Sequence, residues 1–302
     1  LGGDNVPRMK RFLEESEGQV VPSFWDLSEV GSNDEAKKEV NELMAKPEVF
    51  DTPKPLRLIQ RILQISTTPD SDDIVMDFFA GSGTTGHAVF AQNASDGGSR
   101  RFILVQLPEP LTPEKKEQKV ASDFCDAISK PRSIAELTKE RLRRAQKLVK
   151  ADSPLFTGDL GFRVFKLDTS NLAPWDTETQ DVEQTLLSAV TNVREDRTES
   201  DILCELLLKL GLDLCVPIGT REISGKAVQS VGAGALFVCL APKIDRSEVE
   251  SLALGIVEWH KELDPAGESS MVFLDSAFAD DVSKTNMTAI LGQHGLLKVR
   301  SL

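Results

Sequence analysis

Residues 73–90 read DIVMDFFAGSGTTGHAVF. The opening DIVMDFF is a short apolar run ending in a turn signal, the pattern of a buried strand. Three glycines follow in quick order, Gly81, Gly83 and Gly86. The continuation GHAVFAQNA predicts a helix. After the turn SDGGSR, the run RFILVQL (101–107) predicts a second buried strand. Strand, glycine loop, helix, strand is the start of a right-handed parallel unit, so a doubly wound α/β fold is expected.

A glycine loop between strand and helix lets the backbone approach a ligand and presents the N–H groups of the helix start. Gly81-Ser-Gly83-Thr-Thr-Gly86 satisfies G-x-G-x-x-G, which suits a pyrophosphate; the same loop suits the carboxylate of an amino acid joined to a nucleoside. A dinucleotide loop also wants an acid at the end of the second strand. Gln106 stands there instead, and Glu109 comes late. Asp77, four residues before the first glycine, places a carboxylate at a buried strand end, where an unpartnered charge is costly. It calls for a cationic or donor partner, and the ammonium of a bound amino acid would serve. A Walker phosphate loop is excluded, because no Gly-Lys-Ser/Thr follows.

The chain has 302 residues, enough for one large or two ordinary domains, and is 40% apolar and 27% charged. No apolar run approaches a membrane span, and no secretory leader is visible, so a cytoplasmic protein without membrane association is expected. Net charge is −13. The first 150 residues carry 22 Lys and Arg against 24 Asp and Glu, the rest 13 against 24. That acid excess argues against this chain alone gripping a nucleic-acid backbone. Cys125, Cys204, Cys215 and Cys239 form no C-x-x-C pair and are expected reduced and buried. With three histidines, none near a cysteine, no metal site is expected.

Upstream, Asn33 or Asp34 is a plausible cap for a charged helix, and PLRLIQRILQIS (55–66) has helical spacing. RSIAELTKERLRRAQKLVK (132–150) predicts a helix whose basic residues form either a solvated face or a phosphate-contacting one. ADSPLFTGD (151–159) marks a joint, dividing a domain over 1–150 from a smaller α/β domain over 151–302. In the latter, strands are expected at GFRVFKLD (161–168), GALFVCLAP (234–242), SMVFLDSAF (270–278) and LKVRSL (297–302). Helices are expected at VEQTLLSAVTNV, DILCELLLKLGLDL, SEVESLALGIVEWHKEL and DVSKTNMTAILGQHG.

DIVMDFFAGSGTT resembles the S-adenosylmethionine (SAM) loop of amino-methylating DNA methyltransferases. FDTPKPLRLIQRIL (50–63) resembles the segment preceding that loop in the circularly ordered members, and RRFILVQLPEP (100–110) their second strand. Together the three resemble the modification subunits of type III restriction–modification systems. GFRVFKLDTSNLAPWD and VFLDSAFADDVSKTN resemble the C-terminal part of those subunits. The resemblance implies a Rossmann-like SAM-dependent methyltransferase core. Asp77, Phe79, Ala80, Gly81, Ser82 and Gly83 would line the SAM pocket, with Thr84 and Thr85 near the methionine carboxylate. Thr52, Pro53, Lys54 and Pro55 would close the pocket, and Gln106 and Glu109 would lie at the ribose hydroxyls. It also implies double-stranded DNA, a restriction subunit and a second modification subunit as partners.

Methylating an exocyclic amine needs a flipped base held against the donor. The family does this with an Asp/Asn/Ser-Pro-Pro-aromatic motif. This chain has no Pro-Pro dipeptide and no tyrosine. NLAPW (171–175) has the wrong spacing, and Trp175 reads as packing or interface. The expectation is therefore a partial methyltransferase: a C-terminal portion that binds SAM, carries no catalytic residue and transfers nothing alone. Two alternatives stand beside it, a non-catalytic assembly module and an NAD-dependent oxidoreductase reading the literal G-x-G-x-x-G. Ser276 lies in no nucleophile elbow, and Asp275, Asp280 and Asp281 read as a helix start. His87 lacks a visible partner for a base role; His260 and His294 read as ordinary surface positions.

Overall fold

A computed structural model describes residues 20–172, 193–194 and 196–302. The helix expected at VEQTLLSAVTNV falls, apart from its last residue, outside them, as does Trp175. The chain divides into two compact units, 1–162 and 163–302. Both mix helices with sheet, so the protein is α/β.

In the first unit, α1 (Leu27–Val30) and α2 (Asn33–Met44) lead into α3 (Leu56–Ser66). Ser32, one residue earlier than expected, caps α2 by accepting the Glu35 N–H at 3.2 Å. Strand β1 (Ile74–Asp77) pairs in parallel with β2 (Arg101–Leu104), and α4 (Thr84–Asp96) connects them. Next come α5 (Lys116–Ala127), which was not anticipated, and α6 (Ile134–Asp152). The inner sheet face, Val75, Phe102 and Leu104, packs on Phe90, Ala88 and Val89 of α4, with Leu63 of α3 and Leu142 of α6 alongside. Phe90 and Phe102 meet edge to face at 5.3 Å. Arg100, buried, ties the ends of α3 and α4 to β2 through Thr67 (2.6 Å) and Asp96 (3.0 Å).

Both strands were expected to be buried, and that needs correction. Among the described residues, helices cover one face only. Ile74, Met76, Ile103 and Val105, on the other, are each about half exposed. A parallel sheet ordinarily carries cover on both faces, so the apolar run was a correct sign of strand but not of burial on both sides.

The second unit holds a five-stranded sheet in the order β3-β4-β5-β6-β7. Strands β3 (Ile218–Ile223), β4 (Lys226–Val231) and β5 (Leu236–Cys239) pair antiparallel; β6 (Ser270–Phe273) and β7 (Lys298–Ser301) continue in parallel. Helices α7 (Glu199–Lys209), α8 (Val249–Leu263) and α9 (Asp281–Gln293) accompany it. The β3–β4 hairpin was not anticipated. Its two-residue turn, Ser224-Gly225, has both residues at positive φ, 50° and 73°, so the Ser-Gly pair between β-branched runs was the available signal. The strand expected at 161–168 does not form: Val164, Phe165 and Leu167 are exposed and pair with no strand. Arg163 instead donates to the Leu214 and Val216 carbonyls. Asp280 caps α9 by accepting the Ser283 N–H at 2.7 Å, and Asp275 pairs with Lys284. Of the cysteines expected to be buried, Cys125 and Cys239 are, Cys204 is half-buried, and Cys215 is exposed.

Candidate functional site

Strand β1 ends at Asp77, and the chain folds back through Phe78–Gly83 before α4 begins. Backbone bonds shape the return: Ala80 N–H to Val105 C=O at 3.1 Å, and Gly83 N–H to Ala80 C=O at 2.7 Å. Gly81 (φ +51°) and Gly83 (φ +79°) both sit in the left-handed region, which side-chain-bearing residues avoid. Gly86 has a different reason. A Cβ there would stand 2.6 Å from Leu142 Cδ2 and 3.0 Å from Leu104 Cδ1, so its hydrogen lets α4 lie tight on β2 and α6. The G-x-G-x-x-G spacing thus serves two turn conformations and one close packing. Gly83, as N-cap of α4, brings no side-chain cap; the first-turn N–H groups keep their affinity for an anion.

Asp77 is half-buried. Its carboxylate accepts the Phe79 N–H at 3.1 Å and the Thr85 hydroxyl at 2.6 Å. Of the cationic or donor partner expected from sequence, the structure supplies neutral donors. A carboxylate offers about four lone-pair sites, so acceptor capacity remains.

The upstream segment reaches this loop. Thr84 donates its hydroxyl to the Lys54 carbonyl at 3.3 Å. Pro53 and Pro55 are buried, while Thr52 and Lys54 are exposed. Phe79 is 84% exposed, and Ala80 and Ser82 are buried. Gln106 turns its amide to the loop, accepting the Gly81 N–H at 2.8 Å and donating to Leu107 C=O at 3.2 Å. Glu109 is exposed, and its carbonyl receives the Ile134 N–H at the start of α6. Thr84 and Thr85, expected at a ligand carboxylate, are buried with their hydroxyls engaged inside the protein. Their backbone, at the start of α4, is what a ligand can meet.

Two further residues hold the loop and were missed in the sequence: Thr138 and Arg141 of α6. Thr138 donates to the Gly81 carbonyl at 2.5 Å. Arg141, 1% exposed, donates at 2.7 Å to each of the Ser82 and Thr84 hydroxyls. The basic stripe of α6 is accordingly no uniform solvated face. Arg144 binds the Leu43 and Met44 carbonyls and pairs with Glu140, and Lys139 pairs with Glu136. The available signal was spacing: 138, 141, 145 and 149 follow one helical arc, with Leu137 and Leu142 beside it.

His87, on α4, is 5% exposed, and no protein group partners its Nδ1. Burial, and then the Arg141 charge, push its pKa down to about 3. It is neutral at physiological pH. An unfolded chain takes up this proton near pH 6.5, so stability is lost as pH falls from about 6.5 towards 3. His87→Gln is expected to reduce the loss between pH 7 and pH 4 by about 3 kcal/mol, read by urea unfolding at both pH values. Parallel losses in the two proteins would contradict it.

A family model for DNA methylases matches residues 5–107, which contain the 50–63 segment, the loop and β2. The Mod subunit of the type III restriction–modification enzyme StyLTI of Salmonella typhimurium is 38% identical over 171 residues, 56% of this chain and 24% of that protein. The EcoP15I Mod subunit of Escherichia coli is 39% identical over 136 residues, 44% of this chain and 18% of its own length. The type II methyltransferase M.KpnI of Klebsiella pneumoniae is 36% identical over 109 residues, 36% of this chain and 25% of its own length. The chain thus spans a quarter or less of these relatives. Over part of its length the chain is similar to the modification subunits of type III restriction–modification enzymes, and residues 5–107 of its first unit match the DNA methylase model.

Proposed function

We propose that this chain is the SAM-holding part of a site-specific DNA methyltransferase of the type III kind, whose whole enzyme methylates adenine at N6. The observation that carries this reading is the bond from Thr84 to the Lys54 carbonyl. It brings the FDTPKP segment onto the glycine loop, so the two family segments form one site. On this reading β1–α4–β2 belongs to a Rossmann-like, doubly wound core.

The residues fit such a ligand. The free acceptor capacity of Asp77 suits an ammonium, and the uncapped start of α4 suits a carboxylate. The exposed ring of Phe79 offers a flat apolar surface. Lys54, with its neighbouring prolines, borders the loop; Gln106 and Glu109 follow β2. SAM when bound supplies an already activated methyl group, so the protein's task is to position the donor and exclude water. The base is gripped by groups this chain does not contain, since it has neither tyrosine nor Pro-Pro. Alone it binds SAM and transfers nothing.

We assign residues 163–302, which have their own core, to assembly with a restriction subunit or a second modification subunit. Double-stranded DNA is the partner of the whole enzyme. Among the described residues no helix is long and apolar enough to cross a membrane.

Calorimetry with SAM and with NAD tests the site. SAM is expected to bind and NAD not. Asp77→Ala with Gly81→Ala is expected to weaken SAM about 10- to 100-fold, the loss of a charge-assisted hydrogen bond. NAD binding alone would make the chain a dinucleotide protein. Binding of neither would move the assembly reading to the whole chain.

A further inference from the structure

A guanidinium taken out of water is costly unless a carboxylate or a full set of acceptors meets it. Arg141 is 1% exposed, yet among the described residues no carboxylate forms an ion pair with it. Its donors go to two neutral hydroxyls, Ser82 and Thr84, and its Nε has no partner. Burial lowers its pKa to about 10, with Glu39 only partly offsetting this, so it remains charged at neutral pH. His87, also beside it, is held neutral.

The location gives this charge a meaning. Ser82 and Thr84 flank Gly83, the N-cap of α4. The positive end of that helix dipole and the guanidinium therefore act on the same loop. The carboxylates nearby are Asp77, bonded to Thr85 and the Phe79 amide, and Glu39, bonded to the Leu56 amide; neither forms an ion pair with Arg141. A protein that needed Arg141 only as a strut would gain by pairing it. The same side chain also links the segments of the site, because the Thr84 hydroxyl that accepts from Arg141 donates on to the Lys54 carbonyl.

We propose that Arg141 is a positioning residue that supplies the charge for holding the carboxylate of the amino-acid end of the ligand at this loop. It acts from behind, through the Ser82 and Thr84 hydroxyls, without touching the ligand. The inference rests on the SAM reading and deepens it.

The test compares SAM with decarboxylated SAM by calorimetry, in the unaltered chain and in Arg141→Gln. Glutamine can still donate to a hydroxyl but has no charge. Arg141→Gln is expected to weaken SAM about tenfold and to leave decarboxylated SAM within about twofold. Arg141→Lys, which keeps the charge, is expected to restore the preference for the carboxylate. Far-UV circular dichroism checks folding; if the glutamine variant unfolds, Arg141→Met is the neutral variant read in its place. Equal weakening of both ligands would reduce Arg141 to a strut and overturn the proposal, as would no change in either. Failure of SAM to bind the unaltered chain would overturn the SAM reading, and this proposal with it.

Discussion

Replacing Gly83 with valine is expected to destabilise the first unit by about 2–5 kcal/mol, the sum of two costs. The first is conformational. Gly83 has φ +79°, where an L-residue pays about 1–2 kcal/mol, and a β-branched one fits worst. The second is steric. A Cβ at 83 would lie 3.1 Å from Thr138 Cγ2 and 3.4 Å from the Thr138 carbonyl. The carbonyl is at ordinary contact distance, but the methyl is tight and the two γ carbons of valine reach further towards it; overpacking of this kind costs about 1–3 kcal/mol. Pushing α6 away would also break the bond from Thr138 to the Gly81 carbonyl. Urea unfolding measures the total. A double-mutant cycle separates the parts: in a Thr138→Ser background the methyl contact is gone, and Gly83→Ala should cost little beyond the backbone term. If Gly83→Val unfolds at the same urea concentration as the unaltered chain, α6 does not press on the loop as described.

Phe237→Ala in β5 is expected to cost the second unit about 3–5 kcal/mol. Phe237 is 0% exposed and sits at the centre of the core formed by β4, β5, β6 and α8. Its ring meets Trp259 edge to face at 5.5 Å and lies 5.9 Å from the His260 ring. Truncation removes the transfer energy of the ring and leaves a cavity between strand and helix that neighbours on a hydrogen-bonded sheet cannot close. Phe237→Leu, nearer in volume, is expected to cost less than about 2 kcal/mol. Thermal unfolding of the two variants gives the order. Equal and small losses would mean that this core relaxes freely around the site.

Much of this protein was legible because its signals are local. The strands β1 and β2, the loop and α4 follow from three glycines, a change from apolar run to helical period, and turn residues at each end. These act over a few residues and need no partner. The same holds for α8, whose apolar periodicity is strong, and for α9, whose start the Asp280 cap marks. The loop's relation to a family was equally legible, because Asp77, Gly81 and Gly83 stand at set intervals in one stretch of chain.

Tertiary structure alone decided the rest. GFRVFKLD has strand composition and no strand, since a strand exists only through a neighbour that accepts its hydrogen bonds. One face of the β1–β2 sheet, with Ile74, Met76, Ile103 and Val105, is half exposed, because an apolar side chain does not specify what will lie over it. Asp77 needed a partner, and only folding could show that Thr85 and the Phe79 amide provide it. Arg141 looked like one more cation on a basic helix. Its burial behind the loop depends on α6 crossing α4 at Gly83 and Gly86, where the absence of a Cβ admits Thr138 and Leu142. That meeting joins residues far apart in the chain, and its cost or gain is set by packing distances that no local pattern encodes.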